Sequence, residues 1–112
     1  MTLFKKIIDK KIPANIVYED ELCLAFKDIN PQAPVHVLLI PKKEIESMAK
    51  VTPQDSEVLG HMMVKASEIA KNLGLAEDGY RLVVNTNANG GQTVYHLHIH
   101  ILGGRRLAWP PG

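Results

Sequence analysis

Three histidines alternate with apolar residues near the end of the chain, in the run His96-Leu97-His98-Ile99-His100-Ile101-Leu102. Successive side chains of a β-strand point to opposite faces, so this alternation predicts a strand with its histidines on one face and Leu97, Ile99 and Ile101 on the other. Histidine has no strong preference for strands, and neighbouring imidazoles disfavour one another's charged forms. The pattern therefore indicates a chemical role for the histidine face.

Two functions fit such a row of histidines. Neutral imidazoles two residues apart on a strand can share one zinc ion, with a carboxylate or water completing the coordination. Alternatively, one imidazole attacks a substrate as a nucleophile while its neighbours hold charge and move protons near neutral pH. The spacing fits both functions, and it also fits a strand whose histidines are merely polar.

The size and charge of the chain exclude several classes of protein. Its 112 residues predict one domain, 1–112, and a net charge of +1 gives no electrostatic footprint for nucleic acid or an anionic membrane. The longest apolar run, residues 37–40, is too short to span a bilayer, and the N-terminus lacks the apolar region of a signal peptide. We therefore expect a cytoplasmic protein whose single Cys23 packs in the core and forms no disulfide.

Two helices are predicted from their end signals. Thr2 caps a short N-terminal helix that Pro13 ends. A long central helix begins with a capping box from Thr52 to Asp55 and closes at Gly74, with apolar residues at helical spacing between them. Strands are expected at residues 16–18, 22–26, 35–40, 80–85 and 93–102. These elements predict an α+β fold, an antiparallel sheet of about five strands with the helices on one side.

A glycine-rich loop leads directly into the histidine row. In Asn89-Gly90-Gly91-Gln92-Thr93 the glycines let backbone N–H groups approach a ligand, and such a turn can form a concavity that favours phosphate. The same residues also make an ordinary hairpin turn, but next to three imidazoles the phosphate interpretation is favoured. The metal interpretation weakens because no Asp or Glu lies in the row or this loop, although His36 still offers a zinc ligand.

Other polar residues have two interpretations each. His36 begins a buried strand, where a core histidine bonded to a backbone carbonyl is as good an explanation as a functional one. Asp28 and Asn30 flank Ile29 in a proline-rich loop. A carboxylate beside an apolar side chain suits the ribose diol and the base of a nucleoside. The same residues also make an Asx turn, and the turn is the favoured interpretation. On the central helix, His61 is expected to face solvent and is assigned no function.

Two separated runs of residues match one known pattern. The first extends from Leu24 to His36 and is followed by Ile40-Pro41-Lys42-Lys43; the second extends from Gly90 to Gly104 and is closed by Trp109-Pro110-Pro111-Gly112. On these motifs the chain resembles the histidine triad family, specifically its Hint branch. The match covers nearly the whole chain, and two motifs in the same order are far more specific than a lone His-x-His-x-His.

The resemblance implies a homodimeric hydrolase that acts on the α-phosphate of purine nucleotides and needs no cofactor or metal. Members similar to this chain cleave the P–N bond of purine nucleoside phosphoramidates, including AMP joined to lysine, through a nucleotidyl-histidine intermediate. On that pattern His98 matches the nucleophile. His96 and His100 match the flanking residues that orient it and hold the phosphate or the leaving-group proton, while His36 completes the network.

The resemblance also implies the substrate contacts. The contacts to the phosphate and the leaving group are matched by Asn85, Gly91 and Thr93. The nucleoside pocket is matched by Asp28 and Ile29. Trp109 matches a C-terminal tryptophan that reaches toward the site near the dimer interface. Thr93 stands where serine is common in the branch; its hydroxyl can make the same contact, and its extra methyl group narrows the pocket.

Three alternatives stay open. A second branch of the family hydrolyses dinucleoside polyphosphates, but it usually follows the histidine strand with proline, whereas Gly103-Gly104 stands here. A zinc-binding or scaffold protein acting through its dimer surface, and a module that binds nucleotides without turnover, are the others.

Overall fold

The computed structural model describes residues 1–112 and places five strands in one antiparallel sheet. The strands are β1 (Ile16–Glu19), β2 (Cys23–Lys27), β3 (Val35–Pro41), β4 (Tyr80–Val83) and β5 (Ile99–Gly103). They lie in the order β1-β2-β3-β5-β4, so the chain leaves the sheet after β3 and returns to it at the outer strand β4. The predicted α+β fold, with a five-stranded sheet, one long helix and a short N-terminal helix, is confirmed.

The start signals of both helices and the end signal of the long helix act as predicted. The predicted end of the short helix at Pro13 is wrong, because this helix ends at Ile8 with its C-cap at Asp9. In α1 (Leu3–Ile8) the Thr2 hydroxyl accepts the N–H of Lys5 at 3.1 Å. A 3₁₀ turn, Pro53–Asp55, precedes α2 (Ser56–Asn72), and the Asp55 carboxylate accepts the N–H of Thr52 at 2.9 Å. Gly74 ends α2 with φ of 80°, a left-handed conformation that glycine adopts without steric cost. Neither helix is long and apolar enough to cross a membrane.

The two helices cover opposite faces of the sheet, which corrects the expectation that both lie on one side. On one face, Val37 and Leu39 of β3 belong to a buried cluster with residues of α2 such as Met62. On the other face, alternate residues of β2 and β3 pack with Phe4 and Ile7 of α1. Because both faces are covered, β3 is apolar on both sides, as its nearly continuous run of buried residues requires.

The histidine strand is shorter than predicted, and this is a second correction. β5 begins at Ile99, so of the three histidines only His100 lies in the sheet. The ladder with β3 stops where Leu39 pairs with Ile99, close to Pro41, which has no N–H to donate and whose carbonyl is used by a side chain. The alternation nevertheless persists, because Leu97 and Ile99 still belong to the cluster under α2.

Candidate active site

The imidazole of His98 is held by the backbone of the preceding histidine. Its Nδ1 lies 2.7 Å from the carbonyl oxygen of His96. A carbonyl can only accept, so the Nδ1 of His98 carries the proton and its Nε2 is left with a free lone pair. This is the tautomer that a nucleophilic imidazole requires.

A second pair of imidazoles lies beside it. The register of β3 and β5 makes His36 and His100 diagonal neighbours, with the Nε2 of His36 2.9 Å from the Nδ1 of His100. The backbone N–H of Gln32 donates to the Nδ1 of His36 at 3.0 Å. Neutral His36 therefore carries its proton on Nε2 and donates it to His100, and neutral His100 carries its own proton on Nε2.

The side chain of His96 is turned away from this pair. It is 1% exposed, and its Nε2 donates to the carbonyl oxygen of Pro41 at 2.7 Å. Sequence reasoning grouped His96 with His100 as a residue that orients the nucleophile or holds the phosphate. The structure places the orienting contact on the main-chain carbonyl of His96, while its imidazole ties the end of β3 to the histidine segment.

Burial keeps these histidines neutral. Desolvation lowers the pKa of His36, His96 and His98 below the ordinary value of 6.5. The pKa of His100 falls to about 4, first because of burial and then because His98 and His36 disfavour a second positive charge. At neutral pH the group is therefore a set of uncharged rings, and the lone pair of His98 is available.

His98 and His100 open onto a cavity of about 320 Å³ whose walls are mainly apolar. The ring of Phe4, from α1, meets the ring of His98 edge-on, with centroids 5.0 Å apart and planes at 90°. Thr93 and Phe26 also line the cavity. A ligand with a flat apolar part and an anionic part fits such a cavity, because hydrophobic walls bury the former while imidazole N–H groups meet the latter.

Asp28 and Ile29 lie at the rim of this cavity. One carboxylate oxygen of Asp28 accepts the N–H of Asn30 at 2.8 Å, so the predicted Asx turn is confirmed. The other oxygen lies 3.4 Å from the Nε2 of His36. Ile29 is 96% exposed and leaves its whole side chain free to cover a ligand. The turn and a binding role are therefore compatible.

The loop before the histidine segment is held from within. The N–H groups of Gly91 and Gln92, which we expected to face a phosphate, donate instead to the carbonyls of Ala88 and Asn87, both at 3.0 Å. The amide of Asn85 donates to the Gly90 carbonyl at 2.7 Å rather than into the cavity. These bonds form a closed turn, and the expected contact of this loop with a phosphate stays a prediction.

Comparison with known proteins identifies this arrangement. A HIT domain profile matches residues 9–107 of the chain. The chain belongs to the HIT domain family. It is 62% identical over 111 residues to an uncharacterized HIT-like protein of Synechocystis sp., which covers 99% of this chain and 96% of that relative. It is also 53% identical over 113 residues to a 14 kDa zinc-binding protein of Zea mays, over 99% of this chain and 88% of that one.

Solved structures agree with this HIT fold. A HIT family hydrolase from Legionella pneumophila superposes with a TM-score of 0.98 at 53% identity, covering 100% of both chains. A second HIT family hydrolase, from Clostridium thermocellum, gives a TM-score of 0.92 at 46% identity over 96% of this chain and 93% of that one.

The C-terminal tail of this HIT protein lies beside β4. Arg81 donates to the carbonyls of Leu107 and Ala108 at 3.3 and 2.8 Å, which holds the tail against the outer strand. Trp109 follows with 81% of its surface exposed, and it does not line the cavity of its own chain.

Sequence reasoning missed Phe4, Gln32 and Pro41 as parts of the site. Phe4 reads as an ordinary apolar residue of a short helix. Gln32 contacts His36 through its backbone N–H, and Pro41 contacts His96 through its backbone carbonyl. Main-chain groups of this kind are not revealed by any pattern of side chains. The proline that directly follows the expected strand 35–40 was the one available signal.

Proposed function

We propose that this HIT protein, as a member of the Hint branch, hydrolyses purine nucleoside 5′-phosphoramidates through a nucleotidyl-histidine intermediate. The observation that carries the proposal is the bond from the Nδ1 of His98 to the His96 carbonyl, because it leaves the Nε2 lone pair free on a ring beside the cavity. The naming of two structural relatives as HIT family hydrolases supports a hydrolytic reaction.

In the first step the Nε2 of His98 attacks the α-phosphorus and the P–N bond to the amine breaks. The ring becomes positively charged as the N–P bond forms, and the His96 carbonyl then accepts a stronger bond from Nδ1–H. The Nε2–H of His100 donates to a phosphate oxygen, where negative charge increases in the transition state. The bond from His98 to the His96 carbonyl is in place before reaction and needs no reorganisation.

The proton for the departing amine has to come from outside the paired histidines. The Nδ1 of His36 already accepts from Gln32, the Nδ1 of His100 accepts from His36, and both Nε2 atoms carry protons. Neither ring therefore has a free nitrogen that could first take up the additional proton and then deliver it to the amine. We therefore assign the proton to solvent, rather than to one of the two flanking histidines, His96 and His100, that the family resemblance suggested. In the second step water attacks phosphorus, the bond to His98 breaks, the water's proton returns to solvent and the nucleoside monophosphate leaves.

The cavity supports a nucleoside as the remaining part of the substrate. Phe4 and Phe26 offer ring surfaces, Ile29 is free to cover a base, and Asp28 presents a carboxylate at the rim that suits a ribose diol. Thr93, exposed at the edge of the cavity, supplies a hydroxyl for the phosphate. Asn85 and Gly91 act indirectly in this proposal, by holding the loop that precedes Thr93.

The test is turnover of adenosine 5′-phosphoramidate and an AMP–lysine conjugate by untagged protein, with acid quenching and intact-mass measurement of the adduct. We expect wild type to form AMP and a trapped AMP–protein adduct on His98, with or without chelator. His98→Ala should lose the adduct and at least roughly 10³-fold in kcat/KM. Inactive wild type, or an adduct that survives in the variant, would overturn the proposal.

The same assay separates the competing substrate class. Gly103-Gly104 follows the histidine strand, where the dinucleoside polyphosphate branch usually has proline. We therefore expect dinucleoside polyphosphates to be turned over with a lower kcat/KM than the phosphoramidates. The reverse order would place the chain in the other branch.

Zinc binding at this site is the second candidate, favoured by the zinc-binding maize relative and by three ligand atoms of Asp28, His36 and His100 that lie within 4.8 Å of one another. A zinc ion there would have to break the 2.9 Å bond between the two imidazoles. Zinc retained at one equivalent, and activity lost on chelation, would replace the nucleophile proposal with a metal-dependent one.

We also propose a homodimer that uses the outer edge of β4. This strand is the last of the sheet, so its outer edge leaves N–H and C=O groups free to pair. The exposed apolar side chains Val84 and Trp109 lie at the end of β4 and on the tail held against it. Light scattering should give twice the chain mass, and Trp109→Ala should weaken association or lower turnover. A wild-type monomer at all concentrations would contradict this.

A further inference from the structure

A second group of chemically active side chains lies far from the histidine cavity, where α2 crosses the hairpin of β1 and β2. Asp20, Cys23 and His61 each present one ligand atom, and these atoms lie within 4.8 Å of one another. Cys23 belongs to the buried cluster under α2, on the face of the sheet opposite Phe4 and the cavity. His61, which we expected to face solvent, is partly buried here, with its Nε2 2.6 Å from a carboxylate oxygen of Asp20.

Hydrogen bonds from neighbouring residues fix the position of the Asp20 carboxylate in this group. The Asp20 carboxylate accepts the hydroxyl of Tyr18 at 2.7 Å and the backbone N–H groups of Leu22 and Cys23 at 2.8 and 2.9 Å. These bonds fix its orientation toward the imidazole and the thiol. Asp20 and His61 retain 23% and 28% of their side-chain exposure, so solvent and ions reach the group from one side.

Nucleophilic chemistry does not fit this cysteine. Burial raises the pKa of its thiol to about 12, with Asp20 adding to the shift, so the thiolate that attacks a substrate is scarce at neutral pH. The side chain is also fully buried. His61, the nearby imidazole, forms its hydrogen bond with Asp20 and not with the thiol.

One thiol, one imidazole and one carboxylate are, in contrast, a ligand set that zinc prefers, with water in the fourth position of a tetrahedron. We propose that Asp20, Cys23 and His61 form a zinc-binding site that is separate from the histidine cavity. Binding releases the thiol proton to solvent, breaks the 2.6 Å bond between His61 and Asp20, and moves the proton of His61 from Nε2 to Nδ1. The bound zinc would join α2 to the β1–β2 hairpin.

The donor atoms favour this site over the Asp28, His36 and His100 group. Thiolate sulfur is a softer ligand than carboxylate or imidazole and binds zinc in preference to them. The second group has no sulfur. In each group a zinc ion has to break one existing hydrogen bond, between His61 and Asp20 in the first and between His36 and His100 in the second, so the thiol is the difference between them. One nearby charge opposes the metal, because the ammonium of Lys65 lies 5.7 Å from the centre of the Tyr18 ring, but Lys65 also pairs with Glu68 at 2.7 Å.

The experiment is a titration of untagged, chelator-stripped protein with Co²⁺, followed by absorption spectroscopy and then displacement by Zn²⁺. We expect one equivalent of cobalt, with a thiolate-to-cobalt charge-transfer band in the near ultraviolet and the intense visible bands of tetrahedral cobalt. Cys23→Ser should abolish the charge-transfer band, and His61→Gln should weaken binding by at least about tenfold. The matched control, Asp28→Asn in the other group, should leave both unchanged.

Three outcomes would overturn the proposal. These are no cobalt binding by wild type, cobalt bound without a charge-transfer band, and binding lost in Asp28→Asn but kept in Cys23→Ser. If Cys23→Ser does not fold, the wild-type spectrum and the partly exposed His61→Gln variant still decide the question. Phosphoramidate turnover tests the other proposal separately, because neither Cys23 nor His61 contacts the cavity.

Discussion

The Nε2 of His36 donates to the Nδ1 of His100 across 2.9 Å, and the direction of this bond is set from outside the pair. It is set by the N–H of Gln32, which donates to the other nitrogen of His36 and cannot reverse its role. A main-chain group in the loop before β3 thus determines which nitrogen of His100, on β5, carries a proton toward the cavity.

Removing this donor should change the tautomer of His100. We expect His36→Ala to lower kcat/KM for phosphoramidates on the order of 10-fold to 100-fold, the range typical when a partner that orients a functional imidazole is lost. His36→Gln retains an N–H donor and should recover part of the loss. Nitrogen-15 NMR of the imidazole rings should report mixed tautomers for His100 in the alanine variant. An unchanged His100 spectrum in His36→Ala would contradict the effect of the Gln32–His36 contact on His100.

His96 should matter more for stability than for the reaction step. His96→Ala leaves the Pro41 carbonyl without its donor and creates a buried cavity, so we expect the free energy of unfolding to fall by about 2–4 kcal/mol in urea. His96→Gln, which keeps a donor, should lose less. The carbonyl that orients His98 remains in both variants, so a folded His96→Gln protein should keep most of its turnover.

Two glycines offer a matched pair of substitutions. A Cβ at Gly90 would lie 2.4 Å from the carbonyl oxygen of Thr86, so Gly90→Ala should deform the loop before Thr93 and lower both stability and turnover. Gly60 lies in α2 with nothing within 4 Å of the added Cβ, and Gly60→Ala should stabilise the protein by up to about 1 kcal/mol. Thermal unfolding of the two variants should therefore shift in opposite directions.

As the pH is lowered, turnover should begin to fall at a lower pH than the one at which a free imidazole becomes protonated. Burial lowers the pKa of His98 below 6.5, so its neutral form persists as the pH falls toward that value. We expect single-turnover formation of the AMP adduct to be level from about pH 8 to 6.5 and to fall below that. A decline that is already complete between pH 8 and 7 would rule out neutral His98 as the group that titrates.

The stability of the fold should also fall on acidification. His100 has a pKa of about 4 when folded against an ordinary value of 6.5, so the unfolded chain takes up its proton first. The stabilising effect is therefore fully present above pH 6.5 and is lost as the pH falls through about 4. Urea unfolding at a series of pH values should show this loss, and His100→Gln should reduce its slope.

Local signals were sufficient for much of the fold. Thr2 and the segment from Thr52 to Asp55 predicted where both helices start, and Gly74 predicted where α2 ends, because caps and left-handed glycines act within one turn of the chain. The Asx turn at Asp28 was predicted for the same reason. The end of α1 at Ile8 was not predicted. The extent of β5 was not predicted either, since it depends on where β3 stops accepting a partner.

The alternation of residue types alone predicts that His96, His98 and His100 share one face and that their neighbours enter a core, because such alternation is a property of any extended backbone. Which nitrogen of each ring holds a proton follows from main-chain atoms of Pro41, Gln32 and His96, which no pattern of residue types reveals. The contacts of Gln32 with His36 and of His96 with His98 are local, whereas those of His96 with Pro41 and of His36 with His100 form only when distant segments pack together. The same holds for Asp20 and His61, which meet only because α2 packs across the hairpin.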